Sequence, residues 1–209
     1  MNVMTNQEVR DFETKHQWAT GLHFDEDGRG VHYVNAEANC IQLEFPDRPM
    51  RVPYFTRVLS LLNTESEEHF NGALLWLTLW TIGSTNLEKI GWKLIEKMRL
   101  GFGETRPIGV APGHWFRSDE FVELNAFLLP CFIFGWDAYF VPSGQDYFVH
   151  ISHDEYWTVV TKTTSAYEYL LKQLEPLSPR AGHEGSRARF CRRDASANRT
   201  PNEVGGGMA

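Results

Sequence analysis

The sequence predicts an α+β fold: a mostly antiparallel sheet of about five strands packed against three to four helices, with a disordered C-terminal tail. Three observations lead to this prediction. Residues 132–161 alternate between apolar and polar positions across two turn signals. Residues 85–101 carry apolar side chains at helical spacing, and residues 176–209 change abruptly to a polar, arginine-rich composition.

The size and composition of the chain predict one domain that does not span a membrane. The chain has 209 residues, of which 42% are hydrophobic, enough for one substantial core. We therefore predict a single domain over residues 1–175 and a disordered basic tail over residues 176–209. No apolar run reaches the ~18 residues of a transmembrane helix, and no secretory signal is recognisable. With three cysteines and no paired spacing, a cytoplasmic location is expected.

The N-terminal part of the chain predicts a short helix and two strands. A helix is expected over residues 6–18, and strands over residues 31–35 and 40–45 with a hairpin loop between them. Prolines after the second strand interrupt regular structure. A helical pattern then begins at Tyr54, with apolar side chains spaced for one face.

The middle of the chain predicts three more segments of helix. Residues 71–82 are apolar nearly all round, which we interpret as a buried helix. Residues 85–101 begin with the spacing of a capping box and end at a glycine suited to a left-handed stop. After a loop over residues 101–113, Ser118 is expected to cap a helix that Pro130 ends. The stripe expected to face the core within residues 85–101 is Leu87, Ile90, Gly91, Leu94, Ile95 and Met98.

The last part of the domain predicts three strands and a helix. Strands are expected within residues 135–161, with turns at residues 142–144 and 152–155. The spacing of Ser165 and Glu168 favours a capping box that opens the terminal helix. Because the late strands are joined by short turns, the sheet is predicted to be antiparallel.

The charge distribution limits the classes of partner. The net charge is −7, but residues 1–175 carry 14 basic and 24 acidic residues, a net charge of −10. An acidic body repels phosphate backbones and favours cationic partners, so the sequence predicts a basic protein partner and no nucleic-acid binding by the main domain. The acidic, aromatic-rich composition is similar to that of small bacterial immunity-type proteins, and this similarity concerns composition alone.

The turn over residues 152–155 holds the densest cluster of titratable groups. His153 lies next to Asp154 and Glu155, and His150 precedes them. Three interpretations stay open: a polar hairpin turn in which Asp154 accepts backbone amides, a histidine–carboxylate pair for general acid–base catalysis, and a metal site. The turn interpretation is favoured, since a metal would need more converging ligands. No metal and no cofactor are therefore predicted.

A second candidate segment runs from Gly113 to Arg117. It places His114, Trp115 and Arg117 just before a predicted helix, where backbone amides could hold an anion. Aromatic anchoring of the loop is the alternative. Tyr156 and Trp157 occupy opposite faces of a predicted strand, and an exposed Trp157 or Trp115 would mark a binding surface.

Taken together, these features favour a non-enzymatic protein-binding domain of the immunity or adaptor kind. The acidic body and the lack of a coherent catalytic set motivate this hypothesis. The alternative is a hydrolase that uses His153 or His114 with Asp154 or Glu155 as its acid–base pair. The sequence leaves the oligomeric state open.

Overall fold

The structure is a computed structural model of the chain. It describes residues 1–16, 22–24, 31–33, 39–62, 71–79, 86–174 and 189–191. The predicted hairpin loop after residue 33, Thr85 of the expected capping box and most of the predicted tail lie outside the described residues. The domain boundary at residue 175 and the disorder of the tail stay predictions.

Five helices and ten strands are present among the described residues. The helices are α1 (Asn6–His16), α2 (Arg51–Leu62), α3 (Asn86–Gly101), α4 (Phe121–Phe134) and α5 (Thr164–Leu174). The strands are β1 (Asn2–Met4), β2 (Leu22–Phe24), β3 (Val31–Tyr33), β4 (Asn39–Glu44), β5 (Ala73–Leu79), β6 (Gly113–Phe116), β7 (Asp137–Pro142), β8 (Tyr147–Ser152), β9 (Tyr156–Thr161) and β10 (Arg189–Cys191). No described helix combines the length and the apolar composition needed to cross a bilayer.

The main sheet confirms the predicted α+β class and corrects its size. Seven antiparallel strands run in the order β1-β6-β5-β7-β8-β9-β4, and β10 pairs with the outer edge of β4. Strands β2 and β3 form a separate pair, so the predicted hairpin between residues 31–35 and 40–45 is wrong: β3 pairs with β2, and β4 pairs with β9. The sequence predicted about five strands, because it assigned β5 to a helix and β6 to a loop and did not recognise β1. It predicted three to four helices, and the described residues contain five α-helices.

The predicted helix over residues 71–82 is wrong, since residues 73–79 form strand β5. This strand is central in the sheet and is buried on both faces. Leu75 and Leu77 lie in one hydrophobic core, and Leu74 and Trp76 lie in the other. A strand buried on both sides reads as a continuous apolar run, which periodicity cannot separate from a buried helix.

The sheet divides the apolar interior into two cores. On one face, side chains from α2, α3, α4 and α5 pack against alternate residues of β4, β5, β7, β8 and β9. On the other face, Val9 of α1 packs against Trp76, Tyr139 and Phe148. Because strand side chains alternate between faces, the six strands from β4 to β9 each contribute to both layers, which fixes their register.

Several helix ends differ from the prediction. Gly101 is still part of α3, and Gly103 rather than Gly101 has the positive φ, 82°. Helix α4 begins at Phe121 and has no side-chain cap, so the predicted cap at Ser118 is wrong.

Helix α4 continues past Pro130 to Phe134 and ends at Gly135, which adopts the left-handed conformation with φ 64°. Pro130 is buried inside the helix, although it cannot donate the usual helical hydrogen bond. Helix α5 is capped by Thr163 rather than Ser165, since the Thr163 hydroxyl accepts the amide of Ala166 at 3.2 Å.

Helix α3 is confirmed, and the side that it turns to the core matches the predicted stripe in part. Gly91 and Ile95 are buried and Met98 packs against the core, as predicted, whereas Ile90 is 60% and Leu94 49% exposed. The reason is close packing against α4: a Cβ added at Gly91 would overlap the ring of Phe134. Glycine allows the helices to approach, so Gly91 faces α4 and the two aliphatic side chains point away from the core.

Candidate functional site

The turn between β8 and β9 is held by its own hydrogen bonds. The hydroxyl of Ser152 accepts the amide of Asp154 at 3.2 Å, and the carbonyl of Ser152 accepts the amide of Glu155 at 3.3 Å. Glu155 closes the turn in the left-handed conformation, with φ 64°. The sequence prediction that Asp154 accepts the backbone amides is therefore corrected, since the Ser152 hydroxyl takes this role.

His153 is paired with a carboxylate that the sequence analysis missed. Asp137, the first residue of β7, accepts the His153 amide at 2.6 Å, and both of its oxygens lie 2.9 Å from His153 Nδ1. The other ring nitrogen lies 3.5 Å from the Asp154 carboxylate. The hydrogen bond to Asp137 raises the pKa of His153, because the neighbouring carboxylate stabilises the protonated ring.

His150 lies in β8, opposite Tyr139 of β7. Its ring stacks on Tyr139 with centroids 4.6 Å apart, and the ring of Tyr156 meets it edge-on at 6.4 Å. Burial lowers the pKa of His150. The two histidines near the turn therefore shift in opposite directions, and His150 behaves as a neutral, packed aromatic side chain.

Glu155 is engaged by a buried arginine. Its carboxylate accepts Nη2 of Arg51 at 2.6 Å, and its carbonyl accepts the amide of Phe45 at 2.7 Å. The Arg51 guanidinium also donates to the carbonyl of Ile133 at 3.3 Å and lies 5.1 Å from the centroid of the Phe45 ring. These contacts join the turn to α2 and α4, which is a structural role for Glu155.

His114 lies in the interior of the protein. It is 0% exposed, and its Nε2 accepts Nη1 of the buried Arg99 at 2.6 Å. Burial and the neighbouring Arg99 charge lower the pKa of His114 to about 3, so its ring is neutral at physiological pH. The Arg99 guanidinium also donates to the carbonyls of Arg106 and Ala111, at 2.9 and 2.7 Å. This cluster fastens the loop after α3 to the sheet.

The structure does not bring the two candidate histidines together. His114 belongs to β6, and His153 follows β8, with β5 and β7 between these strands. At a strand spacing of about 4.8 Å, β6 and β8 are separated by roughly 14 Å. His114 is therefore also remote from Asp154 and Glu155.

The four predicted binding residues have different environments. Trp157 is 0% exposed, and its indole donates to the Tyr54 hydroxyl at 3.3 Å, so the exposed position considered for Trp157 is wrong. Trp115 is half-buried against Phe12, with ring centroids 5.2 Å apart. Tyr156 is also half-buried beside His150. Arg117 has an exposed side chain that pairs with Asp119 and Glu120.

One cleft in the described structure is large enough to hold a small ligand. This cleft of about 290 Å³ lies between the β7–β8 turn and the start of α5, where Asp146, Thr163 and Tyr169 contribute to its lining. Its walls hold no charged side chain that is fully buried. Within the described residues, no group of three or more histidine, cysteine or acidic side chains is arranged to hold a metal ion.

The outer side of α3 combines exposed aliphatic and basic side chains. Three aliphatic residues, Ile90, Leu94 and Leu100, are 60%, 49% and 58% exposed. Three exposed lysines share this side of the helix: Lys89, Lys93 and Lys97. We call these six residues the α3 face. The sequence contained a signal for it, since lysines recur at every fourth position, but Ile90 and Leu94 were assigned to the core.

Replacing Asp137 with asparagine should lower the pKa of His153 toward its ordinary value of about 6.5. In the wild type, the raised pKa means that the pair contributes stability below the unfolded pKa, and this contribution is lost as the pH rises through the folded pKa. An NMR titration of the His153 ring measures the shift. Asp154→Asn is the control, with a smaller expected change because its oxygen is farther away. An unchanged pKa in Asp137→Asn would contradict the assigned pairing.

Comparisons with known proteins give no relative for this chain: no family model, no curated protein and no solved structure matches it.

Proposed function

We propose that the protein is a non-enzymatic protein-binding domain and that the α3 face is its contact surface. The observation that carries this proposal is the pair of neighbouring exposed aliphatic side chains, Ile90 and Leu94, with a third, Leu100, farther along the same helix. Single exposed apolar residues are ordinary, whereas neighbouring ones are typical of interaction sites. A helix presents residues four apart on the same side, which places Ile90 and Leu94 next to each other.

The environments of the candidate catalytic residues support a binding role. His114 is enclosed in the core, Glu155 is bonded to Arg51, and His153 is bonded to Asp137. Each group thus already serves in folding contacts. General acid–base catalysis needs a group with a suitable pKa that can reach a substrate proton, and the contacts around His114 and His153 do not favour it.

The basic partner predicted from the sequence has less support from the charges of the described residues. The described positions within residues 1–174 carry 16 acidic and 13 basic residues, a net charge of −3. Most of the acidic excess of residues 1–175 falls at residues 25–37 and 63–70, largely outside the described residues. A basic partner would therefore depend on those segments rather than on the α3 face.

Photo-crosslinking at position 94 tests the proposed contact surface. Leu94 is replaced by benzoylphenylalanine in cells that express the protein naturally, and Val52 of α2, which is similarly exposed at 46%, receives the same replacement as the control. We expect a discrete crosslinked protein from position 94 that is absent from position 52 and disappears when Ile90→Gln is added. No crosslink, or the same crosslinks from both positions, would contradict the proposal.

A further inference from the structure

We propose that the α3 face binds an acidic amphipathic helix of another protein. This inference rests on the proposed function and names the chemistry of the partner. It follows from the way in which charge and apolar surface are combined on one side of α3.

The three lysines form a regular row of positive charge. Lys89, Lys93 and Lys97 are spaced four residues apart, so each lies about 6 Å along the helix axis from the next. Their side chains are all exposed, and no ion pair of these lysines occurs among the described residues. Like charges at this spacing destabilise a helix by a few tenths of a kcal/mol per pair. The carboxylates of an acidic partner would attract the three lysines and so offset their mutual repulsion.

The lysines are interleaved with the aliphatic residues rather than opposite to them. At 100° per residue, Lys97 lies about 20° from Ile90 and Lys93 about 60° from it, with Leu94 about 40° away on the other side. A helix that lies on a membrane separates a broad apolar sector from its charged sector. An intermixed face instead suits a second helix, whose apolar residues meet Ile90 and Leu94 while its carboxylates meet the lysines.

Charge also argues against a second copy of the chain on this face. A symmetric dimer would bring the same patch of both copies together and would place six lysines across one interface. Like charges that face each other oppose association. Complementary charge, by contrast, accelerates association and fixes the alignment of the two helices.

A synthetic amphipathic peptide built of leucine and glutamate is the probe. Its control replaces every glutamate with glutamine. We expect the full-length protein to bind the glutamate peptide more tightly than the glutamine peptide, and we expect this preference to shrink as the ionic strength rises from about 0.01 to about 1 M. Lys93→Gln should weaken binding about two- to fivefold, which is typical of one exposed charge pair. Lys172→Gln, at an exposed lysine on α5, should leave binding unchanged.

Leu94→Gln tests the apolar contribution to binding separately from the charge contribution. It should also weaken binding of the glutamate peptide. Equal binding of the two peptides, or equal effects of Lys93→Gln and Lys172→Gln, would overturn the inference. Binding of phosphatidylserine vesicles in place of the glutamate peptide would overturn it in favour of a membrane surface. A crosslink at position 94 together with equal binding of the two peptides would support the proposed function and contradict only the proposal that the partner is acidic.

Discussion

Replacing Arg99 with methionine is expected to lower the free energy of unfolding by about 3 kcal/mol. The buried guanidinium donates to three acceptors: the carbonyls of Arg106 and Ala111, and Nε2 of His114. Methionine keeps much of the apolar volume but leaves these acceptors without their donor, at a cost of about 1 kcal/mol or more each. Equilibrium unfolding in urea at neutral pH measures the change.

Two further substitutions show whether the loss comes from the buried hydrogen bonds. Arg117→Met removes an exposed arginine that pairs with Asp119 and Glu120, and such surface pairs contribute about 1 kcal/mol or less. Arg99→Lys keeps the charge but lacks the planar fork that reaches several acceptors, so an intermediate loss is expected. A loss below about 1 kcal/mol for Arg99→Met would mean that this cluster does not hold the loop as described.

The sequence was sufficient for the elements whose local patterns are unambiguous. The strands within residues 135–161 and helix α3 were predicted from alternation and helical spacing, and the structure confirms them. Strand β5 was assigned to a helix because it is apolar on both faces, so its period is hidden. Strand β6 is short and follows a glycine- and proline-rich loop, which masked its place in the sheet.

The candidate site was predictable only where residues are close in the sequence. The turn over residues 152–155 was located correctly, but its partners come from elsewhere: Asp137 is 16 residues away and Arg51 is 104 residues from Glu155. Asp137 could have been found from the predicted β7–β8 hairpin, since register sets the residues that face each other across two strands. Arg51 gives no such signal, because only the tertiary packing of α2 brings it to the turn.

The sequence did not determine which side of α3 faces the core, because this too depends on tertiary packing. Its apolar residues cover more of the helix than one core-facing stripe requires, so spacing alone does not say which of them are buried. The close approach of Gly91 to Phe134 of α4 determines which side of α3 is buried. The side chains left outside, Ile90 and Leu94, then become the central part of the proposed contact surface.

The most direct test gives the same substitution to two neighbouring residues of α3. Ile95 is 0% and Leu94 49% exposed. Urea unfolding should show that Ile95→Gln loses about 3–5 kcal/mol, since it removes a core side chain and buries an amide. Leu94→Gln should stay within about 0.5 kcal/mol of the wild type, because leucine and glutamine have similar helix propensities and the position is on the surface. Losses of similar size at both positions would show that Leu94 belongs to the core and that α3 presents no aliphatic face to a partner.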